Sequence, residues 1–547
     1  MRSDPVGPAY RTGHRRRGLG ILAVAATIPL LAGCAGAPGI AAESSEVISE
    51  GREYHDVPGL PDEALKTMNL PQYASGKWSI FAQDLDSGET VIDLNGGRMA
   101  EPGSFTKTYS VGAAWTKWGP DHTITTPVKQ SGTVTDGTLT GDLVLVGQGD
   151  LTMGGRTKDD GTVDFTNLDH NDANPLPGAT LTREDPLTGL DNLAAQVKKA
   201  GINAVAGDVV IDDRLFAGEL DGEPITPILV NQNLLDVLIT PGTQGEQSSA
   251  ALTPVVAPWR LVSEVVTVAA GEKTLIDTPE ISPDDPSTIV VRGSIAADSD
   301  PVLKVFVLED PATFARTAFI EALQRAGVAV SADLTAPNPQ GSLADRAAVD
   351  ALPSVAELES LPLKEEATYV MKVSYNRGAQ TLVCRLAAEA GDPGCESGMS
   401  VLQDIWEEAG LDTTGAALVD GSGLDGNFIT PENAVQIQTI MAERPDAELW
   451  RDTLPILGVD GSLADVQSDS PAAGNVFAKT GTLLGWDAFN KRYRLTTKTL
   501  GGIMHTAKDR RLAFTIIMNQ GFTDDIAGVF SANDDVGAVA AAIQEAY

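Results

Sequence analysis

Gly103-Ser104-Phe105-Thr106-Lys107 leads straight into Thr108 to Trp118, a run whose composition predicts a helix. Residues three apart lie one above the other on a helix, so a Ser104 that opens the first turn meets the Lys107 amine. A hydroxyl beside an amine is a nucleophile beside a base. The helix N-terminus adds a positive dipole under the serine, and a lysine buried near a second cation sheds its proton near neutrality. Taken alone, the pair also reads as an ordinary helix cap. Stretches far downstream decide between the two.

Ser374-Tyr375-Asn376 lies near the start of Thr368 to Ala390, which reads as one continuous helix. Lys479-Thr480-Gly481-Thr482 lies within Val476 to Leu484, a predicted strand. Each triplet alone reads as a helix cap or a strand ending in a turn. In this order, behind Ser104 and Lys107, they resemble the three-motif set of penicillin-binding proteins and serine β-lactamases. The long gap between Lys107 and Ser374 narrows the resemblance to the type-4, class C low-molecular-mass penicillin-binding proteins. These are D-alanyl-D-alanine carboxypeptidases and endopeptidases with extra domains between the first two motifs. Leu139 to Gly147, Gly207 to Asp212, Asn231 to Asn233, Asp420 to Leu424 and Gly458 to Leu463 resemble the same family. The likeness therefore runs over nearly all of the chain after about Trp78.

That resemblance implies an α+β fold: a β-lactamase/transpeptidase-like catalytic domain, an antiparallel sheet with helices, split by a large, mostly β insertion of one or two domains. The catalytic part is expected at 60–125 and 347–547 and the insertion at 126–346. The implied catalytic residues are Ser104 as nucleophile, Lys107 as base, Ser374 as proton relay, Asn376 on the substrate amide and Lys479 as the cation that keeps Lys107 neutral. Backbone N–H groups of Ser104 and Thr482 would form the oxyanion hole, and the hydroxyls of Thr480 and Thr482 would receive the terminal carboxylate. Gly481, lacking a side chain, would let substrate lie along the strand edge, and Leu424 would line the pocket. The implied substrates are peptidoglycan stem peptides, with β-lactam antibiotics as covalent inhibitors and no cofactor or metal.

The chain departs from the family pattern in three places. Tyr375 stands where the family usually has Asp. Asp425-Gly426 follow Asp420 to Leu424 where Ser-Arg is common and the arginine helps hold the diamino-acid side chain of the stem peptide. Trp486 to Thr499 is longer and more basic than the usual continuation of the third motif, and reads as a branch feature or a loop over the site. Two rival readings remain: a β-lactamase or esterase with the same nucleophile, and a silent cell-wall-binding lipoprotein.

At 547 residues the chain exceeds a single core. Its net charge of −36 argues against nucleic acid as a partner and for a well-solvated surface. Arg11, Arg15, Arg16 and Arg17 precede an apolar run, Leu19 to Leu31, too short to span a bilayer comfortably and followed by small residues, as in a cleavable export signal. Leu31-Ala32-Gly33-Cys34 resembles a bacterial lipobox. It implies removal of 1–33, acylation of Cys34 and anchoring to the outer face of the cytoplasmic membrane, with 34–59 as a flexible tether. A soluble exported protein that discards Cys34 is the alternative, and general or twin-arginine export both fit. In an exported protein Cys384 and Cys395, across Gly391-Asp392-Pro393-Gly394, are expected to be bridged. The five histidines, His14, His55, His122, His170 and His505, form neither a zinc pattern nor a histidine triad.

Elsewhere, Lys77 to Asp84 and Glu89 to Leu94 read as a hairpin about Asp86-Ser87-Gly88. Past Trp118, short runs such as Asp142 to Val146, Asp208 to Ile211 and Thr288 to Val291 predict strands, with helices at Leu190 to Ala200 and Ala312 to Ala326. Gly147 to Asp150 reads as a turn after a strand, not a phosphate loop. Leu512 to Met518 predicts a strand, and an Ala-rich helix is expected from about Asp534.

Overall fold

Strand β1 (Lys77–Asp84) alternates: Trp78, Ile80 and Ala82 enter one core while Phe81 packs on the other side with Val435 and Ala513. That period of two is what a strand covered on both faces requires. The computed structural model describes residues 53–547. Cys34, the expected leader and most of the expected tether lie outside the described residues.

From β1 the chain turns back into β2 (Thr90–Leu94), the expected hairpin. It re-enters the same sheet only near its end, through β3 (Val476–Asp487), β4 (Arg492–His505) and β5 (Arg511–Thr523). The order is β2-β1-β5-β4-β3, antiparallel throughout. One domain is thus closed by strands from both ends of the sequence, with β3 at its edge.

Helix α1 (Lys107–Trp118) is buried from Lys107 to Trp115. It runs through a helical core in which Val111, Ala114 and Trp115 meet Tyr369, Leu382, Trp406 and Trp450. Each of those large side chains contributes roughly 2–3 kcal/mol by leaving water, and the helix is held from all sides as a fully buried helix must be. Two further helices, α2 (Leu363–Lys372) and α3 (Asn376–Glu389), pack beside it. They replace the single helix expected over 368–390. The break falls at Val373-Ser374-Tyr375, where Ser374 adopts φ +59°, a left-handed turn that no helix continues. The Tyr375 N–H donates to the Val370 carbonyl at 3.0 Å and pins the break. The other face of the sheet is covered by α4 (Ile526–Ala546), whose Val529, Val536, Val539 and Ile543 pack against Trp78, Ile516 and Met518. It begins at Ile526 rather than near Asp534 because Asp525 caps it, accepting from Gly528 N at 3.0 Å.

The insertion contains a six-stranded, a four-stranded and a three-stranded sheet, with helices at Thr188–Lys199 and Pro311–Arg325 as expected. Its C-terminal boundary lies beyond 346. Ser354–Glu359 pairs antiparallel with Thr125–Thr135, and the Ser360 N–H donates to the Ile124 carbonyl at 2.9 Å, so the two strands of the neck are joined near 124 and 360. The tether likewise ends before 59. Tyr54 and Val57 pack on the sheet core, and the Tyr54 N–H donates to Asn69 Oδ1 at 2.8 Å. Cys384 and Cys395 are disulfide-bonded, tying α3 to the turn after it. The bridge packs on Phe216, Leu220 and Ile225 of the insertion.

Candidate active site

Ser104 sits in a tight 3-10 turn, Gly103–Thr106, immediately before α1 rather than within it. Gly103 has φ +54°, and a Cβ there would stand 2.9 Å from Thr482 N, so only glycine lets this turn press against β3. Gly481 serves the same contact from the other side. A Cβ on it would overlap the Pro102 carbonyl oxygen and crowd Phe105 N, so its bare Cα receives the serine's own turn. Glycine at 481 is thus required by the fold of the site itself, beside its expected place along the substrate strand.

Lys107 is fully buried. Its Nζ lies 2.8 Å from Ser104 Oγ, 2.6 Å from Asn376 Oδ1 and 2.9 Å from the Ser422 carbonyl. A neutral amine has two N–H donors and one lone pair. The two carbonyl oxygens accept the donors, which leaves the lone pair for the Ser104 proton. Burial lowers the Lys107 pKa, the Asp420 and Asp172 carboxylates oppose it, and the balance is about 7. Asp420 also shapes the loop that supplies the Ser422 carbonyl: it accepts from the N–H groups of Ser422 at 2.6 Å and Gly423 at 2.7 Å, and from Asn427 Nδ2 at 2.7 Å.

Lys479 on β3 is also fully buried and donates to Ser374 Oγ and to the Thr480 carbonyl, both at 2.9 Å. Burial lowers its pKa well below the usual lysine value, and the nearby Lys107 charge lowers it further. Two amines so close share the cost of a proton, and charge on either disfavours charge on the other. The left-handed Ser374 thus turns its hydroxyl toward Lys479 while Asn376, two residues on, presents its carbonyl oxygen to Lys107. Asn376 Nδ2 has no partner among the described residues and the side chain is exposed to the cleft. Thr480 Oγ1 shares a hydrogen bond with Ser462 Oγ at 2.8 Å, and Thr482 Oγ1 accepts from Lys498 Nζ at 3.1 Å. β3 is the sheet edge; its Val476 carbonyl and Ala478 N–H are taken by Leu457 N and the Pro455 carbonyl, both at 2.9 Å, and beyond Ala478 no further strand among the described residues pairs with this side of it. Leu424 is partly buried and packs toward the disulfide and Phe216.

A sequence model of the D-Ala-D-Ala carboxypeptidase 3 (S13) family matches residues 63–534. The chain belongs to this family. Among S13-related proteins it is 30% identical to a D-alanyl-D-alanine carboxypeptidase of Actinomadura sp. (strain R39), over 89% of this chain and 86% of that one. It is 22% identical to a D-alanyl-D-alanine carboxypeptidase of Haemophilus influenzae, over 84% and 88% of the two chains. The crystal structure of penicillin binding protein 4 from Haemophilus influenzae superimposes with a TM-score of 0.66 at 20% identity, covering 87% of this chain and 97% of that one. That likeness establishes the shared fold.

Against that S13 background the departures acquire places. Tyr375 points away from the cleft into the helical core, 5.5 Å ring to ring from Tyr369, so the second motif loses no group that faces Ser104. Trp486 to Thr499 is the far end of the β3–β4 hairpin, with Asp487 opposite Arg492, rather than a loop over the site. Asp425 and Gly426 are exposed.

One cleft residue escaped the sequence reading. Asp172 comes from the insertion, in the turn His170–Asp172, and lies within electrostatic reach of both lysines. The turn is anchored from below: Arg156 donates to both Asp169 oxygens at 2.7 and 2.8 Å, and His170 Nδ1 pairs with Asp236 Oδ1 at 2.8 Å. From above, Asn171 Nδ2 donates to the Val373 carbonyl at 3.3 Å and Gly461 N to Asn167 Oδ1 at 2.9 Å, so the loop rides on the second motif. Burial pushes the Asp172 carboxyl up to about 6, with Lys107 and Lys479 opposing. The only trace of it in the sequence is a polar Asp-His-Asn-Asp run without period.

Proposed function

We propose that Ser104 attacks the carbonyl carbon of a D-alanyl-D-alanine bond in a peptidoglycan stem peptide while Lys107 Nζ takes the hydroxyl proton. The C–N bond of the resulting tetrahedral adduct then breaks. The departing D-Ala nitrogen receives, through Ser374, the proton that Lys107 took, which returns the lysine to its neutral form, and the acyl group stays as an ester on Ser104. Water attacks that ester with Lys107 again as base, releasing the shortened peptide and restoring the serine. Backbone N–H groups of Ser104 and Thr482 hold the oxyanion, Asn376 Nδ2 holds the substrate amide, and Thr480 and Thr482 receive the terminal carboxylate. β-Lactams acylate the same oxygen. The observation that carries this reading is the 2.8 Å contact of a buried amine with Ser104 Oγ, the amine's other two bonds being spent on carbonyl oxygens.

Because the base must be neutral, kcat/KM for D-Ala release is expected to rise with pH through about 7 and to level off above it. Asp172→Asn removes a carboxylate that favours the Lys107 ammonium, so the rising limb should move to lower pH. A pH profile of both proteins checks this; a limb that moves upward, or stays fixed, contradicts the placement of Asp172. Analysis of muropeptide products separates release of terminal D-Ala from cutting of cross-links.

Cys34, with the lipobox-like residues before it, supports a lipoprotein held on the outer face of the cytoplasmic membrane. Cys34→Ala is expected to shift the protein from the membrane pellet to the soluble fraction on fractionation; retention in the pellet contradicts the anchor.

A further inference from the structure

One strand in from the edge, β4 carries a buried amine that none of the three motifs includes. Lys498 stands directly opposite Thr482, so the two side chains leave the sheet on the same face. The lysine is 4% exposed, and its Nζ donates to Thr482 Oγ1 at 3.1 Å. No carboxylate among the described residues offsets its burial, which pushes the amine down to about 7. A buried cation without a counter-ion is costly, and a threonine hydroxyl does not need one as partner. The cost is recovered when an anion arrives where that hydroxyl points.

We infer that Lys498 is a binding residue for the terminal carboxylate of the substrate, placing a positive charge beneath the Thr482 hydroxyl on which that carboxylate docks. The inference rests on the proposed function, which puts the carboxylate at Thr480 and Thr482. Thr480 Oγ1 is held by Ser462 Oγ at 2.8 Å and, more distantly, by Lys479 Nζ at 3.5 Å, an amine already engaged with Ser374, whereas Thr482 Oγ1 accepts from Lys498 Nζ, an amine with no other partner among the described residues. An arriving carboxylate pairs with the amine, favours its protonated form and accepts from both donors. The substrates selected are peptides whose leaving residue carries a free α-carboxylate. A carboxamide or ester at that position fits the same space and lacks the charge.

The test measures kcat and KM of the purified protein on a D-alanyl-D-alanine peptide and on its C-terminal carboxamide. The parent should prefer the free acid. Lys498→Met should lose that preference by roughly ten- to hundredfold, mainly through KM, as expected for removal of one charge-assisted bond. Lys498→Arg should keep most of the preference, which separates a charge from a packing role. Equal losses on acid and amide, or an unchanged preference in Lys498→Met, overturn the inference while leaving the proposed function standing. A parent that cleaves neither peptide and takes no acyl group on Ser104 overturns the proposed function, and this inference with it.

Discussion

Ser104→Ala is expected to reduce D-Ala release by roughly 10⁴- to 10⁶-fold, the range found when the nucleophile of a serine hydrolase is removed. The change deletes one oxygen from a half-buried residue whose turn is held by other contacts: Gly103 against β3 and Gly481 against Pro102. The fold should therefore survive, with a melting temperature near that of the parent, and the loss should lie in kcat. A variant that melts normally yet retains a tenth of the parent activity would remove Ser104 from the reaction. It would also leave the short contact with Lys107 without a chemical purpose.

Lys107→Met tests the other half of the pair, with an expected loss of about 10³- to 10⁵-fold, since general-base removal alone accounts for roughly 10²–10⁴. Methionine matches the lysine stem in length and suits the burial of the site, but accepts no proton. It also leaves Asn376 Oδ1 and the Ser422 carbonyl without the donor they now share. Lys107→Arg makes the sharper comparison. It keeps a positive charge and donors, yet arginine stays protonated at any accessible pH. If Lys107 works as a base, Arg should be as inactive as Met, and kinetics on a D-alanyl-D-alanine peptide decide it. Recovery of activity in the arginine variant would mean that the position supplies charge rather than a proton acceptor.

How much of this was legible beforehand follows from the kind of signal each residue leaves. The hairpin of β1 and β2 shows as two short runs about a turn and the helix behind Ser104 as helix-favouring composition, and such local signals survive into the fold. Ser104, Lys107, Ser374, Asn376 and Lys479 stand in short motifs, and the fold gathers them around two buried amines. The break at Ser374 was hidden because the segments on either side of it suit a helix, although Ser374, Asn376 and Gly378 between them favour caps and turns. What interrupts it is tertiary: the Lys479 bond to Ser374 and the close packing of Tyr375 on Tyr369. The packing of Gly481 on Pro102 was not legible because a glycine in a strand announces a close approach without saying by what. The insertion was expected to end at 346, since nothing local marks Ser354–Glu359 as a partner for a strand that precedes it by more than two hundred positions in the numbering. Asp172 and Lys498 carried the weakest signals, one in a stretch without period and the other a lysine that any exposed strand could display. Only burial and register single them out.

The central claim, that Ser104 becomes acylated with Lys107 as its base, is tested most directly by time-resolved mass spectrometry of the intact protein during exposure to a penicillin. One penicilloyl adduct per chain is expected on the parent, mapped to Ser104, absent from Ser104→Ala and formed far more slowly in Lys107→Met. An adduct that persists in Ser104→Ala, or a parent that neither gains mass nor turns the drug over, would contradict it.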